Sequence, residues 1–347
     1  MAPDAGREPL SRRGPGRDGT RDWDEDDVRV RPGKSSRPRT RNRPEHRDAD
    51  EGFVIAVDRG RYTCRLDDGT DSERTVTAMR ARELGRKSVV VGDRVDIVGD
   101  TSGDADTLAR IVRITERTSV LRRTADDDDP YERVIVANAD QLVIVTALAD
   151  PPPRTGFIDR CLVAAYDAGL APLLCLTKAD LATPDELLAN YADLDLQVVT
   201  TRRDEPLDAL RQQLTGKVSV LVGHSGVGKS TLVNALVPGS DRSTGVVSAI
   251  GKGRHTSTSA VALPLADGGW VVDTPGVRSF GLAHVSPESL LNTFSDLAEG
   301  AGDCPSGCAH LSAAEGCALD AWVAAGHAPP RRLAAYRRLL QSRAVDE

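Results

Sequence analysis

Residues 223–230 read Gly223-His224-Ser225-Gly226-Val227-Gly228-Lys229-Ser230, the spacing G-x-x-x-x-G-K-[ST]. An apolar stretch, Val218–Val222, precedes them, and a helical pattern from Ser230 and Thr231 to Leu236 follows. In a strand–turn–helix context, glycines let backbone N–H groups turn inward around phosphates at the positive end of the helix. Residues Gly223 to Thr231 are therefore expected to cradle a nucleotide's phosphates. Lys229 should reach the β- and γ-phosphates and assist transfer, and Ser230 should ligate Mg²⁺. The chain holds 39 arginines and 6 lysines, yet this slot holds lysine. A compact ammonium fits inside a phosphate loop where a planar guanidinium would not.

Thr177-Lys178-Ala179-Asp180 follows the apolar run Leu173–Leu176. A carboxylate at Asp180 can accept hydrogen bonds from N1–H and N2–H₂ of guanine. Adenine would leave it unpaired, at a cost of about 1–3 kcal/mol. Lys178 would lie along the base plane. At the end of the next strand pattern, Thr200 and Thr201 can offer a backbone N–H to guanine O6. Asp273-Thr274-Pro275-Gly276 follows Trp270–Val272; Asp273 fits a water-mediated Mg²⁺ ligand, and Gly276 fits a γ-phosphate contact. In the loop before it, Thr256 is the chosen Mg²⁺ ligand and Thr258 the alternative. Val277 occupies the position where many GTPases hold a water-orienting Gln, so intrinsic hydrolysis should be slow. His255 is the candidate replacement; a solvated loop histidine is the alternative.

The motif order is guanine motif, base loop, phosphate loop, switches. That is a circular permutation, which a parallel sheet tolerates when the original termini lie close. The Asp273–Gly276 switch then leads directly into the C-terminal segment, where the γ-phosphate state is expected to be read out as movement.

Cys304-x₃-Cys308-x-His310-x₆-Cys317 supplies four soft or borderline ligands suited to one structural Zn²⁺, with no position left open for chemistry. Cys64, Cys161 and Cys175 stand in apolar patterns and read as packed core.

These motifs need elements to hold them, and the chain divides into four parts. Residues 1–50 read as a disordered, charged tail, whose run Arg29–Arg43 holds seven basic and no acidic residues; it is either a phosphate-contacting arm or a solvated tail. Residues 51–123 carry about five short strand patterns (52–57, 62–66, 88–91, 94–98, 109–114) with an Asp68-Gly69 turn, suiting a small OB-fold β-barrel. Residues 124–282 alternate apolar strands with helices, as in a parallel sheet covered on both faces. Residues 283–347 read as a helical zinc-binding module. The fold class is thus multidomain α/β. No apolar run approaches a membrane span and no signal peptide is visible, so a cytoplasmic location is expected. Net charge is -7, distributed as +2, +1, -7 and -3 over the four parts. The acidity sits in the nucleotide domain, which leaves RNA binding open to the basic clusters at 29–43 and 331–343. With only Phe53 and Tyr62, the barrel lacks a base-stacking platform and would meet RNA through phosphate and shape.

A permuted GTPase domain between a small barrel and a Cys₃His module resembles the ribosome small-subunit-dependent GTPase A family (RsgA, also called YjeQ). The resemblance rests on TKAD (177–180), GHSGVGKS (223–230), GRHTST (253–258), DTPGVRSF (273–280), the Cys/His cluster, VVGDRV (90–95) and RTSVLRR (117–123), and spans about residues 51–345. It implies a cytoplasmic, monomeric GTPase that binds the small (30S) ribosomal subunit late in assembly. Hydrolysis would be stimulated by the ribosome and coupled to release. It further implies contacts from the barrel and zinc module to 16S rRNA or ribosomal proteins, and a hydrolytic role for the loop histidine matched by His255. The cluster spacing departs from the family's by one residue in each of two gaps, and the loop reads His-Thr-Ser-Thr rather than a run of Thr. Competing readings are a P-loop nucleotide kinase or ATPase, against which Asp180 argues, and an RNA-binding protein with a passive nucleotide site. A catalytic zinc enzyme is disfavoured by the full ligand set.

Overall fold

The computed structural model describes residues 46–67, 69–85, 87–124, 132–194, 196–238, 260–274, 280, 282, 285–312 and 316–342. Its first five strands are β1 (Asp50–Asp58), β2 (Arg61–Leu66), β3 (Arg74–Arg80), β4 (Arg94–Val98) and β5 (Ala109–Ile114). Alternation drives Val54, Cys64, Val76, Ala78, Ile97 and Ile111 into one interior. Strand β1 pairs antiparallel with β2 and β4, β2 with β3, and β4 with β5, while β3 and β5 run parallel. The ring closes, as expected of the OB arrangement, and closure removes the barrel's free edges.

One expected strand is displaced. Ser88–Val91 is not a strand of the barrel; Arg74–Arg80 takes that place, as the partner of β2 across the turn containing Gly69 (Asp68 itself lies outside the described residues). Only Val76 and Ala78 of β3 are buried, so its apolar signal is short and broken by Thr and Arg. Val89, Val90 and Val91 are buried without pairing as a strand: Val89 packs into the barrel's interior, and Val91 bridges Val136 where the chain leaves the barrel. Fully buried Asp93 fixes this corner, accepting from Arg117 Nε at 2.7 Å and from Val90 N at 2.8 Å.

Strands β6 (Val120–Thr124) and β7 (Glu132–Ala137) pair antiparallel, so a division at 123/124 falls at the last residue of β6 and parts it from its partner strand. Then follow β8 (Gln141–Ala147), α1 (Thr155–Asp167), β9 (Ala171–Thr177), α2 (Asp185–Ala189), β10 (Gln197–Thr200), α3 (Asp208–Leu214), β11 (Val218–Val222), α4 (Lys229–Leu236), β12 (Val261–Pro264) and β13 (Trp270–Asp273). The order is β10-β9-β8-β11-β13-β12, parallel throughout except for antiparallel β12. Through Ala56↔Val261, β12 also meets β1, so barrel and central sheet are continuous. Strand residues alternate between two cores. Ile144, Leu174 and Val222 pack with Ile158 and Leu162 of α1; Val145, Leu173 and Leu221 pack with Leu210 of α3 and Val233 of α4.

The C-terminal helices are α5 (Pro287–Leu291), α6 (Ser295–Ala298), α7 (Ala318–Ala324) and α8 (Pro330–Ser342). The start of α5 is capped by Ser286, whose Oγ accepts from Ser289 N at 3.0 Å, with Pro287 in the first turn. Helix α8 buries Leu333, Tyr336, Leu339 and Leu340 against the α1 face. Its arginines have partners within the chain. Arg331 pairs with Asp193, Arg332 with Asp296, Arg337 with Asp320 and Arg338 with Asp159. The 331–343 cluster is therefore largely neutralised by this chain's own carboxylates, while Arg343 lies outside the described residues. Phe53 and Tyr62 are both buried, consistent with a barrel that offers no ring to a base. No described helix is long and apolar enough to cross a membrane.

Candidate nucleotide site and metal centre

The carboxyl ends of β8, β9, β10, β11 and β13 lie side by side, and ligands of open parallel sheets bind in the crevice beyond such ends. Each expected motif within the described residues begins where one of these strands stops. Two glycines of the phosphate loop have a steric reason. A Cβ on Gly223 would stand 2.6 Å from the Val145 carbonyl oxygen, and Gly228, the N-cap of α4, has φ +91°. Between them the loop presents Ser225 and Gly226 to solvent, and Ser230 stands exposed in the first turn of α4. Lys229 Nζ lies against Asp273 Oδ1, and both side chains are almost fully shielded. A buried cation and carboxylate here supply the two charges a phosphate–Mg²⁺ group would engage. Thr274 Oγ1 donates to Leu221 O at 3.0 Å, tying the start of the switch to the strand that launches the phosphate loop.

The guanine motif is braced against the same loop. Thr177 Oγ1 donates to Val227 O at 2.6 Å. Thr201 N donates to Leu176 O at 2.7 Å, and Ala179 N to Thr201 O at 3.2 Å, so the two base-facing turns are stitched together. Lys178, at φ +57°, extends Nζ to the Asp150 carbonyl. Asp180 and Thr200 stand exposed at the mouth. His255, Thr256, Thr258, Gly276 and Val277 lie outside the described residues.

Three contacts around this site are not written in its motifs. His224, inside the phosphate loop, packs its ring on Phe157 of α1 with centroids 4.1 Å apart. Asp150 follows β8 and holds Lys178 through a carbonyl, which any residue type has. Arg160 Nη2 donates to Phe280 O at 2.7 Å, just past the switch. A helix-facing pattern in α1 marks such residues as packed, not as neighbours of a loop far along the chain.

The Cys/His cluster converges as expected. The ligand atoms of Cys304, Cys308, His310 and Cys317 lie within 4.8 Å of one another. Cys304 Sγ stands 3.5 Å from His310 Nδ1 and 4.0 Å from Cys317 Sγ, and Cys317 Sγ 3.8 Å from His310 Nδ1. Tetrahedral ligands at zinc bond lengths sit about 3.5–3.8 Å apart, so the set fits such an ion with little adjustment. Backbone N–H groups of His310 and Ala318 point at Cys308 Sγ (3.4 Å) and Cys304 Sγ (3.3 Å), a polarity that favours thiolates. Burial holds His310 below the usual imidazole value, which keeps it a neutral ligand. Burial, with its neighbouring thiols, pushes Cys317 up to about 11. Arg337 supports the loop from outside, donating to His310 O at 3.0 Å while bridging both oxygens of Asp320 at 2.9 and 2.6 Å.

A family model described as RsgA GTPase matches residues 114–283. A small ribosomal subunit biogenesis GTPase RsgA from Chlorobaculum parvum is 36% identical over 308 residues, 85% of this chain and 98% of that protein. The protein of the same name from Pseudomonas aeruginosa is 43% identical over 265 residues, 74% of this chain and 76% of that one. YjeQ from Thermotoga maritima aligns with TM-score 0.63 and 26% identity over 86% of this chain and 99% of its own. YloQ, described as a circularly permuted GTPase, aligns with TM-score 0.61 and 25% identity over 87% and 97%. Sheet order, braced motifs and these likenesses agree: the chain belongs to the RsgA GTPase family.

Proposed function

We propose that the chain is a cytoplasmic GTP hydrolase of small-subunit assembly: it binds the 30S subunit late in maturation, hydrolyses GTP when the subunit stimulates it, and then leaves. The observation that carries this reading is the convergence of the phosphate loop, TKAD and Asp273 on one sheet edge, in a chain whose relatives are named small ribosomal subunit biogenesis GTPases. Residues Gly223 to Thr231 hold the phosphates, with Lys229 on the β- and γ-phosphates. Ser230, Asp273 and Thr256 serve Mg²⁺, and Gly276 contacts the γ-phosphate. Asp180 reads guanine, Lys178 flanks its plane, Thr177 braces the loop, and Thr200 and Thr201 present a backbone N–H to O6. Mg²⁺ arrives with GTP and neutralises the charge of the transferring phosphoryl group. His255 supplies the water-orienting function that Val277 lacks.

Cys304, Cys308, His310 and Cys317 hold one structural Zn²⁺ that ties down the C-terminal module. The barrel (51–123), the GTPase domain (124–282) and the zinc module (283–347) act as one monomeric body on 16S rRNA and ribosomal proteins, with the 1–50 tail ahead of them. Sedimentation of the purified chain with isolated ribosomal subunits tests the reading. Co-sedimentation with small subunits in the presence of a non-hydrolysable GTP analogue, weaker with GDP and absent with large subunits, is expected. Equal binding to both subunits, or none, contradicts it.

A further inference from the structure

Phe157, Asp159 and Arg160 share one turn of α1, and each reaches a different part of the molecule. Phe157 packs on His224 of the phosphate loop at 4.1 Å between centroids. Arg160 holds the Phe280 carbonyl, beyond the switch, at 2.7 Å. Asp159, 3% exposed, accepts from Arg338 Nε of α8 at 3.0 Å. The Arg338 guanidinium also lies 5.1 Å from the centre of the Tyr191 ring. At the far end of α1, Asp167 Oδ1 accepts from Ser289 Oγ of α5 at 3.0 Å. The nucleotide chemistry uses none of these contacts.

Asp159 is buried at this contact while the Arg338 side chain stays 37% exposed, and a carboxylate–guanidinium pair so placed adds little net stability over apolar packing of the same volume. What it fixes is position. In this seating of α8 on α1 the buried Asp159 carboxyl has a cation beside it, and burial, which pushes that carboxyl upward, is opposed by Arg338 and by a hydrogen bond with Tyr191. The next residue back, Arg337, holds the metal loop through the His310 carbonyl. Adjacent side chains of α8 thus grip the metal centre and the helix that touches the phosphate loop.

We propose that α1 is the element through which the nucleotide site and the C-terminal module bias one another, with Asp159–Arg338 as the positioning contact. The inference rests on the GTPase reading above. A nucleotide state that shifts His224 or the Phe280 carbonyl shifts α1, and α1 carries α8 with it. By linkage, a partner that holds α8 in one seating changes nucleotide affinity by the same factor.

Hydrogen exchange of the full-length chain tests this, read over residues 330–342 with GDP and with a non-hydrolysable GTP analogue. Dissociation of a fluorescent GDP is measured beside it. In the unmodified chain, exchange in α8 should differ between the two nucleotides. Arg338→Met and Asp159→Asn should each erase that difference and change GDP dissociation about 5-fold or more. Arg331→Met should leave both unchanged: Arg331 is on the same helix, but its side chain is 74% exposed and pairs with Asp193. If a single variant does not fold, Asp159→Asn with Arg338→Met leaves no lone buried charge and carries the same expectation. Folded variants that keep the nucleotide-dependent difference overturn the inference, as does an unmodified chain that binds both nucleotides and shows no difference. Failure of the unmodified chain to bind GTP at all overturns the GTPase reading, and this inference with it.

Discussion

At the residue scale, chemistry concentrates where the chain cannot avoid a charge. Lys229 and Asp273 are both shielded and in contact, so removing either leaves the other without its partner. Lys229→Ala should lower GTP turnover about 100-fold or more, measured as phosphate release under saturating nucleotide. Asp180→Asn should exchange acceptor for donor at the base and shift preference toward xanthine by about 10-fold or more. Retained selectivity for GTP in a competition assay would refute the base assignment. In chain loaded with Zn²⁺, Arg337→Met should release the ion to a chelator about 10-fold faster, because the His310 carbonyl and Asp320 lose their common anchor. These sites were legible because their residues are contiguous or nearly so. Asp159 and Arg338 were not: 179 positions separate them, and neither lies in a local pattern that marks a buried partner.

At the element scale, periodicity located the central sheet well, since apolar runs such as Gln141–Ala147 are buried on both faces and read continuously. It misplaced a barrel strand, because β3 buries two small residues while Val89–Val91 buries three without pairing as a strand of the barrel. The ion pairs of α8 were not legible for a related reason: a sequence shows charge, not the carboxylates that meet it. One of those pairs, Arg337 with Asp320, has a pH signature. Hydrogen bonding from Arg337 holds the Asp320 carboxyl below the ordinary carboxylate range. A depressed folded pKa gives stability that is fully present above the unfolded value near pH 4 and is lost as pH falls through the folded one. The difference in urea midpoint between the chain and Asp320→Asn should therefore shrink as pH drops from about 5 to about 2. A difference constant with pH would place the contribution of Asp320 elsewhere. Gly228→Ala would force a side chain into the left-handed cap of α4 and should cost about 1–2 kcal/mol along with phosphate affinity.

At the scale of the molecule, charge and topology constrain how a ribosomal partner is met. The barrel joins the central sheet through β1 and β12, and α8 joins the C-terminal module to α1. The site thus lies in a sheet attached at one edge to the barrel and on one face to the metal module. On the proposed reading, the four paired arginines of α8 would leave RNA contact more to the barrel's exposed arginines and the 29–43 run, through phosphate and not base stacking. Val277, where many GTPases hold Gln, leaves the isolated chain without the usual residue for orienting water, so a partner is expected to complete the site. The most direct measurement is GTP turnover by the full chain with and without isolated small ribosomal subunits, over a series of salt concentrations. Slow turnover alone, rising about 10-fold or more with small subunits and falling back as salt is raised, is the expected result. Turnover that small subunits leave unchanged at every salt concentration would contradict the assignment.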